Sequence, residues 1–187
     1  MLAYVFWHWS QPGVGINSYR NDLLSFHRTL ASYKPNGFHH STIFTIKQAP
    51  WLETRGEAYE EWYLIDDSAA LDRLNHAAVS GICEEPHNRV ARQAAGGAAG
   101  LYLLRHGPAD LNNSRFAVWL SKPAGVSYSN FYSSLQRFTS SEGAGLWGRQ
   151  MVLGPTQEFC LHSPDQIDLP RNLAGQTIPL LKIWPSD

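Results

Sequence analysis

Slid along itself by 112 residues, the chain lays Trp7 on Trp119, Gly13-Val14 on Gly125-Val126, Leu23 on Leu135 and Phe26 on Phe138. In the same frame Tyr19 meets Phe131 and Ile16 meets Tyr128. The apolar positions of one segment, spaced 3 and 4 apart as on one face of a helix, therefore recur in the other. A period this long is too large for a solenoid and fits a duplicated subdomain. Each half must then hold the same succession of elements, which narrows the fold far more than composition does. The halves run roughly over Ala3–Gly107 and Ser114–Pro185, dividing the chain at 1–110 and 111–187.

Within the first half, Ala3–Trp9 is rich in aromatic and branched residues and closes on Ser10-Gln11-Pro12-Gly13, which predicts a strand. A helix over Asn17–Tyr33 follows, stopped by Lys34-Pro35-Asn36-Gly37. Strands are expected at Phe38–Lys47 and Ala58–Asp66, then a helix over Ala69–Ser80 capped by Ser68. A short helix over Pro86–Ala95 and a strand over Leu101–His106, reached through the Gly/Ala run 94–100, complete the half. The second half supplies strands at Leu146–Leu153, Thr156–His162 and Thr177–Trp184, with its second helix shrunk to a remnant near Pro164–Leu173.

The order βαββαβ is a ferredoxin-like unit, with both helices on one face of the sheet. Yet Val5, Trp7 and Trp9 alternate with Tyr4, Phe6 and His8, so both faces of the first strand ask for cover. The expected fold class is therefore α+β: two tandem ferredoxin-like βαββαβ repeats packing sheet to sheet. In this element order and in the Trp7/Trp119 match, the chain resembles the dimeric α+β barrel superfamily, in a single-chain, two-repeat form. That superfamily includes cofactor-independent antibiotic-biosynthesis monooxygenases, EthD-like proteins and chlorite-dismutase-like haem proteins. The resemblance implies a ligand cavity between the sheets, but no particular reaction.

Strand alternation then sorts residues into faces. Pairing Glu60–Ile65 with Gln157–His162 groups Trp62, Leu64, Phe159 and Leu161 on one apolar face, expected beneath the helices. The other face holds Glu61, Tyr63, Glu158 and His162, expected toward the cavity because buried polar groups need partners or water. Trp7, Trp9 and Trp119 join that interior. His39 aligns with Trp147 and Ser41 with Arg149, which brings an arginine to the carboxylates; His40 and Thr42 are the alternative inner pair.

Glu61, Glu158 and His162 are thus the candidate acid–base groups. Trp7, Trp9, Trp119, Tyr63, His39, His40 and Arg149 are the candidate ligand-binding residues. Tyr19 and His27 lie eight apart, flanking the apolar stripe of the first helix, where core packing is the simpler account of Tyr19.

The expected function is binding of a small apolar or aromatic ligand, as a cofactor-independent oxygenase or isomerase-like enzyme. The alternatives are a non-enzymatic scaffold or interaction protein, and a haem-binding barrel. A net charge of −1 gives no basic excess for nucleic acid or an anionic membrane. His8 interrupts the first apolar run and no basic segment precedes it, so neither a leader nor a span is expected. Cys83 and Cys160 lie far apart and read as reduced thiols of a cytoplasmic protein. Eight histidines show no local ligand spacing, so no metal and no cofactor are expected. Haem is the minority reading, since one histidine (His39, His40 or His162) would suffice. A homodimer is left open.

Overall fold

A computed structural model describes residues 1–54, 56–139 and 144–185. The elements are β1 (Leu2–Ser10), α1 (Ile16–Tyr33), β2 (Phe38–Ile46), β3 (Ala58–Ile65), α2 (Ser68–Ala78), α3 (Gly81–Gln93) and β4 (Ala94–His106). They continue with β5 (Phe116–Leu120), α4 (Tyr128–Thr139), β6 (Gly145–Arg149), β7 (Phe159–Ser163), β8 (Gly175–Pro179) and β9 (Leu181–Trp184). The strands form one antiparallel sheet in the order β8-β5-β7-β6-β4-β1-β3-β2-β9. The quartets β4-β1-β3-β2 and β8-β5-β7-β6 thus follow the same order.

The sheet does not end in two free edges. β8 pairs with β5, β9 pairs with β2, and only Leu180 separates β8 from β9. Residues 175–184 therefore bridge the two ends of the sheet and roll it into a barrel. The lumen is packed with aromatic rings. Trp7 of β1 meets Trp119 of β5 at 5.7 Å between ring centroids, and Trp62 of β3 meets Trp147 of β6 at 5.4 Å. All four indoles are fully buried, and they share one cluster with Tyr102, Phe44 and Cys160. Burying a side chain of this size is worth roughly 2–3 kcal/mol of hydrophobic free energy, so the lumen is the main core.

The helices cover the outside. In the first half Phe26 and Leu30 of α1, Leu74 of α2 and Cys83 of α3 pack over Tyr63 and Ile65 of β3. In the second, Phe131 and Leu135 of α4 pack over Val118, Leu120 and Leu161. The stripe shared by α1 and α4 is thus a core-facing stripe in both.

Several expectations are corrected. The two faces of β3 are exchanged: Trp62 and Leu64 belong to the lumen cluster, and Tyr63 to a helix-side cluster. The register explains this. Trp7 pairs with Glu60 and Trp119 with Cys160, so Glu60, not Glu61, stands where Cys160 stands. Aligning Glu61 with Glu158 slips the strand by three residues, and an odd slip flips every side chain.

The Gly/Ala run is strand as well, because β4 begins at Ala94. A Cβ on Gly96 would sit 2.7 Å from the Trp9 ring, and one on Gly97 2.7 Å from Phe6. The run is small so that two aromatic rings can lie on it. Asp67, not Ser68, caps α2, accepting from the Ala70 amide at 2.8 Å. Residues 164–173 form no helix, the last strand is broken at Leu180, and α3 starts five residues before Pro86.

Candidate functional site

On the outer face of the first quartet, alternation brings Tyr4, Phe6 and His8 of β1 beside Glu61 and Tyr63 of β3, with Ser41 of β2 next in register. Tyr19 and His27 reach down onto them from α1. The result is a buried hydrogen-bonded cluster centred on one carboxylate. His8 places Nε2 2.6 Å from Glu61 Oε1 and Nδ1 2.6 Å from the Tyr19 hydroxyl. Tyr63 donates its hydroxyl proton to Glu61 Oε2. His27 Nε2 lies 3.2 Å from Tyr63 Oη and 3.5 Å from Glu61 Oε1, and its Nδ1 is 2.7 Å from Ser41 Oγ.

Glu61 is only 2% exposed. Burial alone would raise its pKa, but the charge that His8 and His27 carry when protonated, together with their hydrogen bonds, outweighs that and holds it well below the usual carboxylate range. The carboxylate in turn pushes the phenols up. Tyr63 and Tyr19 both ionise well above their ordinary value, first because they are buried and then because Glu61 is near. A permanently charged acid ringed by groups that keep or pass protons is expensive to bury, and it is more than packing requires.

The cluster floors a cleft of about 720 Å³ between the sheet and the helical layer. The walls are apolar, supplied by Phe6, Leu23, Phe26, Leu71, Leu74 and Val90, while Asp72, Asn75 and His87 stand among the other lining residues. Apolar walls around a few convergent polar groups, in a volume of this size, are the usual form of a small-molecule site.

The structure distributes the sequence candidates differently from the expectation. Glu61 and Tyr63 come together in the cleft, not between the sheets. His162 lies in the lumen, its ring 4.4 Å from that of Trp62 and its Nε2 3.9 Å from Glu60 Oε1. Glu60 accepts from the indoles of Trp7 and Trp62 at 2.7 Å each. Burial raises its pKa to about 7 against the pull of those two donors, and burial lowers His162 to about 3.

Glu158 is half-buried beside α4, accepting from the Tyr128 hydroxyl at 2.6 Å. Arg149 donates to the carbonyls of Gly154 and Thr156 and fastens a turn instead of reaching a carboxylate. His39 is exposed and paired with Asp66 at 2.6 Å, and His40 is exposed too. Trp7 and Trp119 pack against each other in the lumen, with Trp9 at its margin. Of the ten sequence candidates, Glu61 and Tyr63 line the cleft, and the other eight, His162 included, do not.

Sequence reasoning missed His8 and Ser41 as members of the cluster, and it ranked Tyr19 as packing. The available signal was polarity out of place: His8 ends an apolar face of β1, and His27 interrupts the buried stripe of α1. Among the described residues no three His, Cys, Asp or Glu side chains converge as a metal-ligand set, and no helix is long and apolar enough to cross a membrane.

No protein family's sequence profile matches this chain, and no curated protein matches it. Among solved structures it is similar to a proposed monooxygenase from Lactobacillus acidophilus NCFM. The TM-score is 0.60 at 8% identity, covering 97% of this chain and 93% of that one. An anthrone oxidase-like protein also aligns, at a TM-score of 0.49 and 9% identity, over 96% of this chain and 91% of that one; no argument rests on it. The first likeness establishes a shared α+β fold.

Proposed function

We propose that this chain is a small-molecule enzyme that binds an apolar, ring-sized ligand in the helix-side cleft and removes a proton from it. The carrying observation is a buried carboxylate, Glu61, held between two imidazoles and a phenol at the floor of an apolar cleft. His8 is the base in this reading. Its Nε2 is held by Glu61 and its Nδ1 faces the Tyr19 hydroxyl, so the proton arrives through Tyr19, which passes its own to Nδ1 as it takes the substrate's; an imidazole backed by a carboxylate can hold it there. A substrate carbanion formed there and delocalised over an aromatic system can pass an electron to O2. Recombination then gives a peroxide, which loses water, so that a methylene and O2 become a carbonyl and water. The fold shared with a proposed monooxygenase favours this oxygenase reading over an isomerase that returns the proton.

The same reading takes the two equal-ordered strand quartets as tandem ferredoxin-like repeats, 1–110 and 111–187, with the site in the first. It takes the two free thiols, Cys83 and Cys160, as those of a cytoplasmic protein. The test is oxygen uptake by purified protein on a panel of polycyclic phenols and other ring compounds with acidic positions, without added metal, flavin or haem. Uptake that is lost in His8→Ala and Glu61→Gln and kept in Glu158→Gln is expected. Solvent deuterium exchange into ligand without oxygen uptake would move the assignment to an isomerase. Wild-type rates in both cleft variants would end it.

A further inference from the structure

We infer that His27, Ser41 and Trp184 form a positioning chain that locks the His27 tautomer and leaves His8, of the two imidazoles that touch Glu61, as the one free to exchange a proton. The inference rests on the proposed acid–base role of the cleft, but its geometry stands alone. An indole N–H only donates, so at 3.2 Å from Ser41 Oγ the Trp184 Nε1–H makes that oxygen an acceptor. The single hydroxyl proton of Ser41 is then directed to the other neighbour, His27 Nδ1 at 2.7 Å. With Nδ1 accepting, the ring proton sits on Nε2.

The opposite side of the ring demands the same answer. Tyr63 has one proton and spends it on Glu61 Oε2, so toward His27 Nε2 at 3.2 Å its oxygen accepts. Two separate proton counts, one from each side of the imidazole, agree. Every donor in the chain therefore runs one way, from Trp184 through Ser41, His27 and Tyr63 to Glu61. All of His27 and nearly all of Ser41 is buried, so water does not compete for these positions.

His8 differs. The partner of its Nδ1 is the Tyr19 hydroxyl at 2.6 Å, which can donate to the neutral ring or turn and accept from the charged one. Protonating His27 at Nδ1 would give Ser41 Oγ two incoming donors and turn its own proton away from both of those neighbours. Trp184 belongs to β9, which closes the barrel, and lies 143 positions from Ser41 in sequence. A residue at the far end of the described chain thus sets the state of a ring in the first helix.

The test is long-range 1H–15N NMR on protein labelled at histidine nitrogen, without any ligand. In the wild type, His27 should show an unprotonated, accepting Nδ1 and a protonated Nε2. Trp184→Phe keeps the ring and removes the donor; it should turn that signal into a mixture of tautomers while leaving the His8 pattern in place. Ser41→Ala should do the same, and Ser41→Thr should restore the wild-type pattern. A protonated Nδ1 on wild-type His27 would overturn the inference, as would an unchanged tautomer in a folded Trp184→Phe protein. Because no substrate enters the measurement, its outcome is separate from that of the oxygen-uptake assay.

Discussion

Glu60 and His162 offer a sharp test of how burial redistributes protons. In the unfolded chain the carboxyl titrates near 4.5 and the imidazole near 6.5, whereas in the barrel lumen they titrate near 7 and near 3. Between pH 4.5 and 6.5 the unfolded pair therefore carries one proton, on His162. The folded pair also carries one, on Glu60. Folding moves the proton without changing the count, so the pair contributes no slope to stability over that window.

Each single variant removes the cancellation. In Glu60→Gln only the histidine remains; its neutral burial is fully favourable above pH 6.5 and is lost as pH falls toward 3. At about 1.4 kcal/mol per pH unit, this variant should lose ~3 kcal/mol relative to wild type between pH 6.5 and 4.5. In His162→Asn only the carboxyl remains, with stability fully present below pH 4.5 and lost as pH rises through about 7. It should lose ~3 kcal/mol in the opposite direction. For a chain of this size that is roughly 8 °C in Tm.

The assay is urea unfolding at closely spaced pH values, plotted as variant minus wild type so that every other titrating group drops out. The two difference curves should slope oppositely. If both run flat across pH 4.5–6.5, the proton is not exchanged between these residues and the reasoning fails.

Other consequences are simpler. Glu61 contributes stability that is present above its unfolded value and lost as pH falls below it, so Glu61→Gln should flatten the acid limb of the wild-type pH–stability curve below about pH 4.5. Gly107→Ala should cost about 3 kcal/mol or more, because φ is +79° and the new Cβ would lie 2.1 Å from the backbone oxygen of Ala144. Gly125→Ala shares the backbone problem, at φ +76°, but meets no atom within 4 Å, and should cost only ~1 kcal/mol; urea midpoints compare the two. Leu74→Trp should fill the cleft and abolish ligand binding by calorimetry while changing stability by less than about 2 kcal/mol.

Much of this fold was legible because the signals were strong and local. The alternation of β1 placed Trp7 on the lumen side, and the stripe of α1 named its buried face through Leu23 and Phe26. β3 was not legible from its own residues. All eight of its positions are buried, so polarity does not distinguish its faces, and Glu60 and Glu61 point to opposite sides of the sheet. Only the register with β1 decides between them, and register is a long-range fact. The same holds for the site. Tyr19, His27 and Glu61 were each visible, but their convergence depends on α1 lying over β3, and the role of Trp184 depends on the pairing of β9 with β2. The Gly/Ala run misled for a different reason: small residues there answer to the rings of Phe6 and Trp9, not to a turn.

The bridging segment 175–184 also has a kinetic meaning. Until it docks, β2 and β5 each present a bare edge with unpaired amides and carbonyls, the form in which partly folded chains pair with one another. Its pairing with β2 joins positions as far apart as Ile43 and Trp184, so its loop-closure entropy is met late and slows the last step of folding. Once in place it removes both edges together. A protein of this design should aggregate during refolding far more readily than after it, and a peptide copying residues 175–184 should compete for the same two edges while the barrel is still open.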